Sequence, residues 1–205
     1  KRQTQNETAT VQDESADSNT DSTGSTTALV QDNRVLQIPD DNYRTYYELF
    51  VYSFYDSDGD GIGDLQGVLE KLDYLNDGDD TTDMDLGING IWLMPVMPSF
   101  TYHKYDTTDY ENIDPQYGTL ETFQELLTAC HDRGIRVILD LAMNHSSSSH
   151  PWFLQAVEYL KNLPEGTEPD SSECPYVDYY HFSREALSGY AQVNGTDWYY
   201  DCLLY

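Results

Sequence analysis

Apolar positions fall along the chain in two rhythms. Residues 46–54 (YYELFVYSF), 87–98 (GINGIWLMPVMP) and 136–145 (RVILDLAMNH) are short, nearly continuous runs of β-branched, aromatic and aliphatic residues. That is the pattern of buried strands. Between them Leu65, Val68, Leu69, Leu72 and Leu75 recur at spacings of three and four and predict a helix over LQGVLEKLDYLND, residues 65–77. TLETFQELLTACHDRG predicts a second helix, with Thr119 and Thr122 as its cap region and Gly134 as its stop. HPWFLQAVEYLKNL, residues 150–163, predicts a third, and from Pro164 to Tyr205 the chain reads as irregular, rich in Asp, Tyr, Gly and Pro. Strands alternating with amphipathic helices predict an α/β fold, a parallel sheet covered by helices. Such a sheet needs both edges managed. Three strands followed by some forty irregular residues therefore read as a piece of something larger.

The stretch before the first strand is different. KRQTQNETATVQDESADSNTDSTGSTTALVQD, residues 1–32, has almost no large apolar residue. It cannot bury enough surface to offset the entropy of ordering and is expected to be a disordered polar tether, an added segment being the alternative. The expected divisions are 1–41 for this tether, 42–145 for the α/β part and 146–205 for the irregular part. No apolar run is long enough to predict a membrane-spanning helix. No signal-peptide pattern occurs, and the chain begins with Lys1. Cys130, in a helical pattern, is expected to be a buried free thiol, while Cys174 and Cys202 lie in loop-like sequence and could pair in an oxidising compartment.

Charge narrows the partners. The net charge is −27, of which the eight acids and three bases of residues 1–41 account for only −5. Nucleic acid and anionic membranes are disfavoured as partners, and cations or neutral hydroxyl-rich ligands are favoured. The chain carries 18 Tyr, whose flat faces suit ordinary cores and sugar stacking alike.

Three segments carry candidate chemistry, each just after a predicted strand. DSDGDGIGDLQG sets Asp56, Asp58, Asp60 and Asp64, with the Ile62 carbonyl, at alternating positions, and Gly59, Gly61 and Gly63 let the backbone wrap. This is an oxygen-rich site for a hard cation, calcium being the natural choice at ~2.3–2.6 Å from each ligand. Counted from Asp56 the loop follows the EF-hand pattern, but Gly67 stands at position twelve where a bidentate Glu belongs, and a strand precedes it in place of a helix. A metal-free solvated loop is the alternative. YHKYDTTDYENIDPQYGT brings Tyr102, His103 and Tyr105 together as rings for stacking and donors for hydroxyls, although aromatic loops are commonly structural. In DLAMNHSS, Asp140 is expected to bond neighbouring backbone, and Asn144 and His145 project from the strand end.

In combination these segments resemble the α-amylase family of glycoside hydrolases. YELFVYSFYDSDGDGIGDLQG resembles that family's first strand and calcium loop, GINGIWLMPVMPS its second strand, YHKYDTTDYENIDPQYGT its aromatic substrate segment and VILDLAMNH its D-x-x-x-N-H region. The resemblance covers about residues 43–200. It implies a TIM (β/α)8 barrel, with only about the first three β/α units in this chain. The region from about Ser146 would start the small domain B inserted after the third strand. It also implies that Tyr105 stacks on the glucose at the cleavage subsite, that His145 bonds a hydroxyl of that sugar, and that His103 is an accessory donor. Asn144 would brace the site or join a second calcium site, and Asp56, Asp58, Asp60, Ile62 and Asp64 would hold the first calcium. The implied partner is an α-glucan, and the implied location is extracellular or at the cell surface.

Two departures shape these expectations. Exo-acting relatives usually carry Asp three residues before the stacking Tyr, where this chain has Tyr102, which favours endo action on starch-like polymers. The family's fourth-strand pattern, G-F-R-x-D, does not occur in the sequence. Retaining glycosidases need two carboxylates about 5–5.5 Å apart. The nucleophile and acid/base are expected beyond Tyr205, so the chain alone is expected to be inactive and to need the rest of the barrel. Two other readings compete: a non-catalytic carbohydrate-binding or interaction module, and a calcium sensor. Retention of Tyr105, His103 and His145 argues against the first, and Gly67 with the preceding strand argues against the second.

Overall fold

The computed structural model describes residues 36–193 and 195–201. These residues form one compact unit. Strands β1 (Tyr46–Leu49), β2 (Gly90–Leu93) and β3 (Arg136–Leu139) form a parallel sheet in that order. The register is Tyr47 to Ile91 to Val137 and Leu49 to Leu93 to Leu139. Helix α1 is one turn, Val51–Phe54; α2 (Leu65–Glu70) and α3 (Leu72–Leu75) follow it, and α4 (Leu120–Asp132) precedes β3. Leu49, Ile91 and Leu93 are buried against Leu65, Val68, Leu72, Leu75, Leu126 and Cys130 of the helices. The expected free thiol of Cys130 is there, and burial pushes its pKa up to about 12.

The helices cover one face of the sheet rather than both. On the other face Glu48, Trp92 and Ile138 stand side by side in register and are exposed. Tyr46 lies on that face across Gly90, where any side chain would meet its ring within 2.4 Å. The continuous apolar runs are thus inner-face and outer-face residues in alternation.

The first run is also divided. Residues 46–49 pair with β2, but Val51–Phe54 turns helical instead of continuing the strand. The acidic loop folds back on this turn: the Gly63 N–H donates to the Tyr52 carbonyl and the Asp64 N–H to that of Tyr55. The predicted helix over 65–77 is likewise broken at Lys71, whose backbone leaves the helical range (φ −106°, ψ 7°). The second helix starts and stops as expected. The Thr119 side chain accepts from the Thr122 N–H, and Gly134 follows its end at φ +71°.

Arg44 closes the opposite rim. Its side chain is 1% exposed. Its guanidinium donates to the carbonyls of Asn89 and Gly134, just before β2 and β3, and to Asp41. Residues 36–41, counted with the tether by composition, run beside this rim: the Gln37 N–H donates to Asp80, and a side chain on Gly134 would meet Leu36 at 3.3 Å. The rest of the predicted tether lies outside the described residues.

Beyond β3, helix α5 spans Pro151–Asn162. The remainder is less irregular than its composition suggests. A 3-10 turn at Pro175–Asp178 is followed by an antiparallel sheet of β4 (Phe182–Ser183), β5 (Tyr190–Gln192) and β6 (Tyr199–Asp201), with β6 in the middle. Ala156, Leu160, Cys174, Val177, Val193 and Trp198 form a second core between α5 and this sheet. Strands of two and three residues leave no periodic signal, which is why composition alone reads them as loop. Cys202 lies outside the described residues, so the expectation of its pairing with Cys174 stays with the sequence.

Candidate functional site

The segments leaving the carboxyl ends of β1, β2 and β3 meet at one end of the parallel sheet. After β2, the backbone N–H of Asp140 from the neighbouring strand bonds the Leu93 carbonyl. The aromatic segment is then pinned to the exit of β3: the Ser147 N–H donates to the Thr107 carbonyl, and the Tyr110 hydroxyl donates to the carbonyls of Ala142 (3.0 Å) and His145 (2.6 Å). Burial raises the pKa of Tyr110, so it remains a donor.

Three of the predicted substrate residues come together here. The Tyr105 hydroxyl donates to Asp140 Oδ2 at 2.6 Å. Asp140 therefore serves a side chain 35 residues away, where local backbone bonding was expected. His145 Nε2 lies 2.9 Å from the Tyr105 carbonyl, which has no proton to give, so this nitrogen donates. Asn144 Nδ2 then donates to His145 Nδ1 at 3.0 Å. His103 Nδ1 accepts from the Tyr105 N–H at 3.2 Å, which in the neutral ring puts the proton on Nε2. The rings of His103 and Tyr105 lie 5.8 Å apart and are both half-buried. An aromatic line continues from them through Tyr102 to Tyr52 and Phe50. Tyr102 is 64% exposed. Beside His145 a cavity of about 570 Å³ is lined by Tyr110, Ala142, Asn144, Trp152 and Tyr179.

The acidic loop follows α1 and bonds its backbone, the Gly63 N–H donating to the Tyr52 carbonyl. Asp56, Asp58 and Asp64 each place one carboxylate oxygen within 4.8 Å of the others. Asp60 is not in this group; its Oδ1 accepts from the Ile62 N–H at 2.7 Å. Asp56 accepts from the N–H groups of Gly61 and Gly59, and these two bonds hold its pKa below the ordinary carboxylate value. Asp64 also caps α2, accepting from the Gly67 N–H at 2.6 Å, and binds Ser57. A side chain on Gly67 would come within 2.0 Å of the Tyr55 carbonyl oxygen. That approach is the physical reason no Glu occupies position twelve.

Several contributors escaped the sequence reading. His150 is buried, caps α5 by accepting from the Trp152 N–H at 3.1 Å, and packs on Trp152 and Tyr110. Its place directly before Pro151 at a helix start was the available signal. Asp140 and Tyr110 act across more than thirty residues, and no local pattern announces such a bond.

Comparison with known proteins agrees with this geometry. The alpha amylase catalytic domain family matches residues 48–201. The chain is 42% identical over 166 residues to alpha-amylase SusG of Bacteroides thetaiotaomicron, covering 75% of this chain and 21% of that protein. It is 44% identical over 154 residues to alpha-amylase 3 of Dictyoglomus thermophilum, covering 75% and 26%. Among solved structures, Eubacterium rectale Amy13B superposes with TM-score 0.73 at 60% identity, over 82% of this chain and 31% of that one. The alpha-amylase from H. orenii gives 0.63 at 50%, over 77% and 32%. The chain thus spans about a fifth to a third of the proteins it matches. It belongs to the α-amylase family of glycoside hydrolases, as a part of that family's TIM barrel comprising about three β/α units.

Proposed function

We propose that the protein to which this chain belongs is a retaining glycoside hydrolase acting on α-1,4-glucans such as starch and maltooligosaccharides. The observation that carries this reading is the bonded set Tyr105, Asp140, His145 and His103 at the carboxyl end of a parallel sheet. Barrel enzymes of this kind place their chemistry at that end. Tyr105 offers a ring held at both its hydroxyl and its main chain, suited to the apolar face of a glucose. His103 Nε2–H is directed to a sugar hydroxyl. His145, donating to the Tyr105 carbonyl without sugar, exchanges that acceptor for a hydroxyl when sugar arrives, with Asn144 fixing its tautomer. The nucleophile and acid/base belong to segments outside this sequence, and the chain alone does not hydrolyse glucan. Tyr102, exposed and in line with the other rings, suits a chain passing through rather than a held chain end.

Calcium fits the acidic loop. Two ligands of one calcium at ~2.4 Å lie at most about 4.8 Å apart, and the Asp56, Asp58 and Asp64 oxygens lie within 4.8 Å of one another. The left-handed Gly59 and Gly61 (φ +84° and +94°) supply the wrap, and the Ile62 carbonyl and Asp60 are the further oxygens the loop offers. The ion ties α1 to α2 and takes no part in bond cleavage. An extracellular or surface location, with residues 1–32 as a tether, accords with the polar composition of that stretch. Among the described residues, no helix is long and apolar enough to cross a membrane.

The test is reducing-sugar release from starch by the full-length protein, its Tyr105→Ala variant and the 205-residue chain. Expected is activity in the first, a loss of about two orders of magnitude in the second, in line with misplacing a bound reactant, and none in the third. A full-length protein that leaves starch and maltooligosaccharides intact overturns the reading.

A further inference from the structure

Between His103 and Tyr105 sits Lys104, the one non-glycine among the described residues with a left-handed backbone, φ +64°. It is also 1% exposed. A lysine there carries a double cost, since the conformation is strained for a residue with a Cβ and burial opposes its charge. Specific partners offset both. Lys104 Nζ lies 2.7 Å from Asp114 Oδ2 and 2.8 Å from Gln116 Oε1, and over the Tyr117 ring at 5.0 Å. Asp114 is itself fixed: its Oδ2 accepts from the Ser99 N–H, its Oδ1 from the Gln116 N–H, and its own N–H donates to the Val96 carbonyl. The ammonium is thereby tied to the exit of β2.

The turn has a directional result. The Lys104 N–H closes on the Thr101 carbonyl at 3.1 Å, and the side chain runs inward to Asp114. Its two neighbours remain half-exposed with ring centroids 5.8 Å apart. We propose that Lys104 is a positioning residue: its buried ion pair with Asp114 holds the left-handed turn that sets the His103 and Tyr105 rings for the sugar. The role at the sugar rests on the α-glucan reading above.

The full-length protein is compared with Lys104→Gly/Asp114→Asn, which accepts the backbone conformation and leaves no lone buried charge. Lys104→Asn, which also tolerates the left-handed backbone and leaves Asp114 with its Ser99 and Gln116 N–H donors, is read the same way should the double variant not fold. Arg44→Met, on the opposite rim of the sheet, controls for lost stability. Expected in the anchor variants is a kcat on a maltooligosaccharide about 10- to 100-fold lower with KM within about threefold. Arg44→Met keeps the wild-type kcat. Hydrogen exchange at the Tyr105 amide quickens in the anchor variants alone. Wild-type kcat together with wild-type protection of the Tyr105 amide overturns the proposal. Should the wild-type protein hydrolyse no α-glucan, the function reading fails, and the exchange rate at Tyr105 decides the role of Lys104 by itself.

Discussion

The Tyr105 hydroxyl donates to Asp140 Oδ2 at 2.6 Å, joining the segment after β2 to the first residue beyond β3. The bond is charge-assisted, of a kind that contributes about 1.5–3 kcal/mol. It also anchors the far end of a ring whose main chain is already held by His103 and His145. Tyr105→Phe keeps the stacking face and loses only the hydroxyl. It is expected to lower kcat/KM on maltooligosaccharides by about tenfold, the low end of that range. Asp140→Asn, still able to accept, is expected to lose less. Steady-state kinetics of the two variants checks this order, and a larger loss for Asp140→Asn would show that the carboxylate does more than hold the ring.

Calcium is expected to stabilise the chain through the loop after α1. Asp56, Asp58 and Asp64 gather their oxygens in the folded state only, so the ion binds native chain in preference to unfolded chain. At a hundred times its Kd it adds about 2.7 kcal/mol, which for a chain of this size raises Tm by roughly 5–10 °C. Thermal melts with calcium and with excess chelator measure it. An equal Tm in both removes the calcium assignment. Asp56→Asn is expected to abolish the difference while changing the chelated melt little, because asparagine still accepts from the Gly59 and Gly61 N–H groups.

Gly67 tests why this loop ends as it does. A methyl group at Gly67 would stand 2.0 Å from the Tyr55 carbonyl oxygen, a backbone atom that cannot swing aside. Gly67→Ala therefore has to push α1 from α2. A cost near ~3 kcal/mol, the upper part of the range for overpacking, is expected. Denaturant unfolding reads the cost, and weaker calcium binding should accompany it, since Asp64 caps α2 through the Gly67 N–H. The contrasting Gly59 has open space around it, but its φ of +84° strains any alanine there.

These residues also indicate what a sequence can announce. The order of β1, β2 and β3, the Thr119 cap and the Gly134 stop follow from period, cap and stop signals that act within a few residues. The acidic loop was legible for the same reason. The break after Leu49 was not, because Val51–Phe54 is as apolar as a strand and is bent by Gly63 and Gly67 arriving from outside the run. Nor were the partners of Asp140, Tyr110 and Lys104, which are set by the superposition of three β/α units. The site residues named from the sequence lie in the segments after the strands; the bonds that hold them appear only in three dimensions.

His150 supplies a pH dependence whose sign can be worked out. The imidazole is buried against Tyr110 and Trp152 and accepts from the Trp152 N–H, so it must be neutral to cap α5. Burial holds its pKa below the usual 6.5, opposed only in part by Asp109. A base with a depressed folded-state pKa binds more protons when unfolded, so stability rises with pH between the folded value and about 6.5 and is level above it. Stability measured from about pH 7.5 downward should therefore begin to fall near pH ~6.5. His150→Asn keeps an acceptor at the cap and cannot titrate. It is expected to flatten that limb, at a cost of about 1 kcal/mol at neutral pH for the lost packing, the size of a typical cap defect. Denaturant titrations of both proteins at several pH values check this, and an identical slope in the variant would place the titration elsewhere.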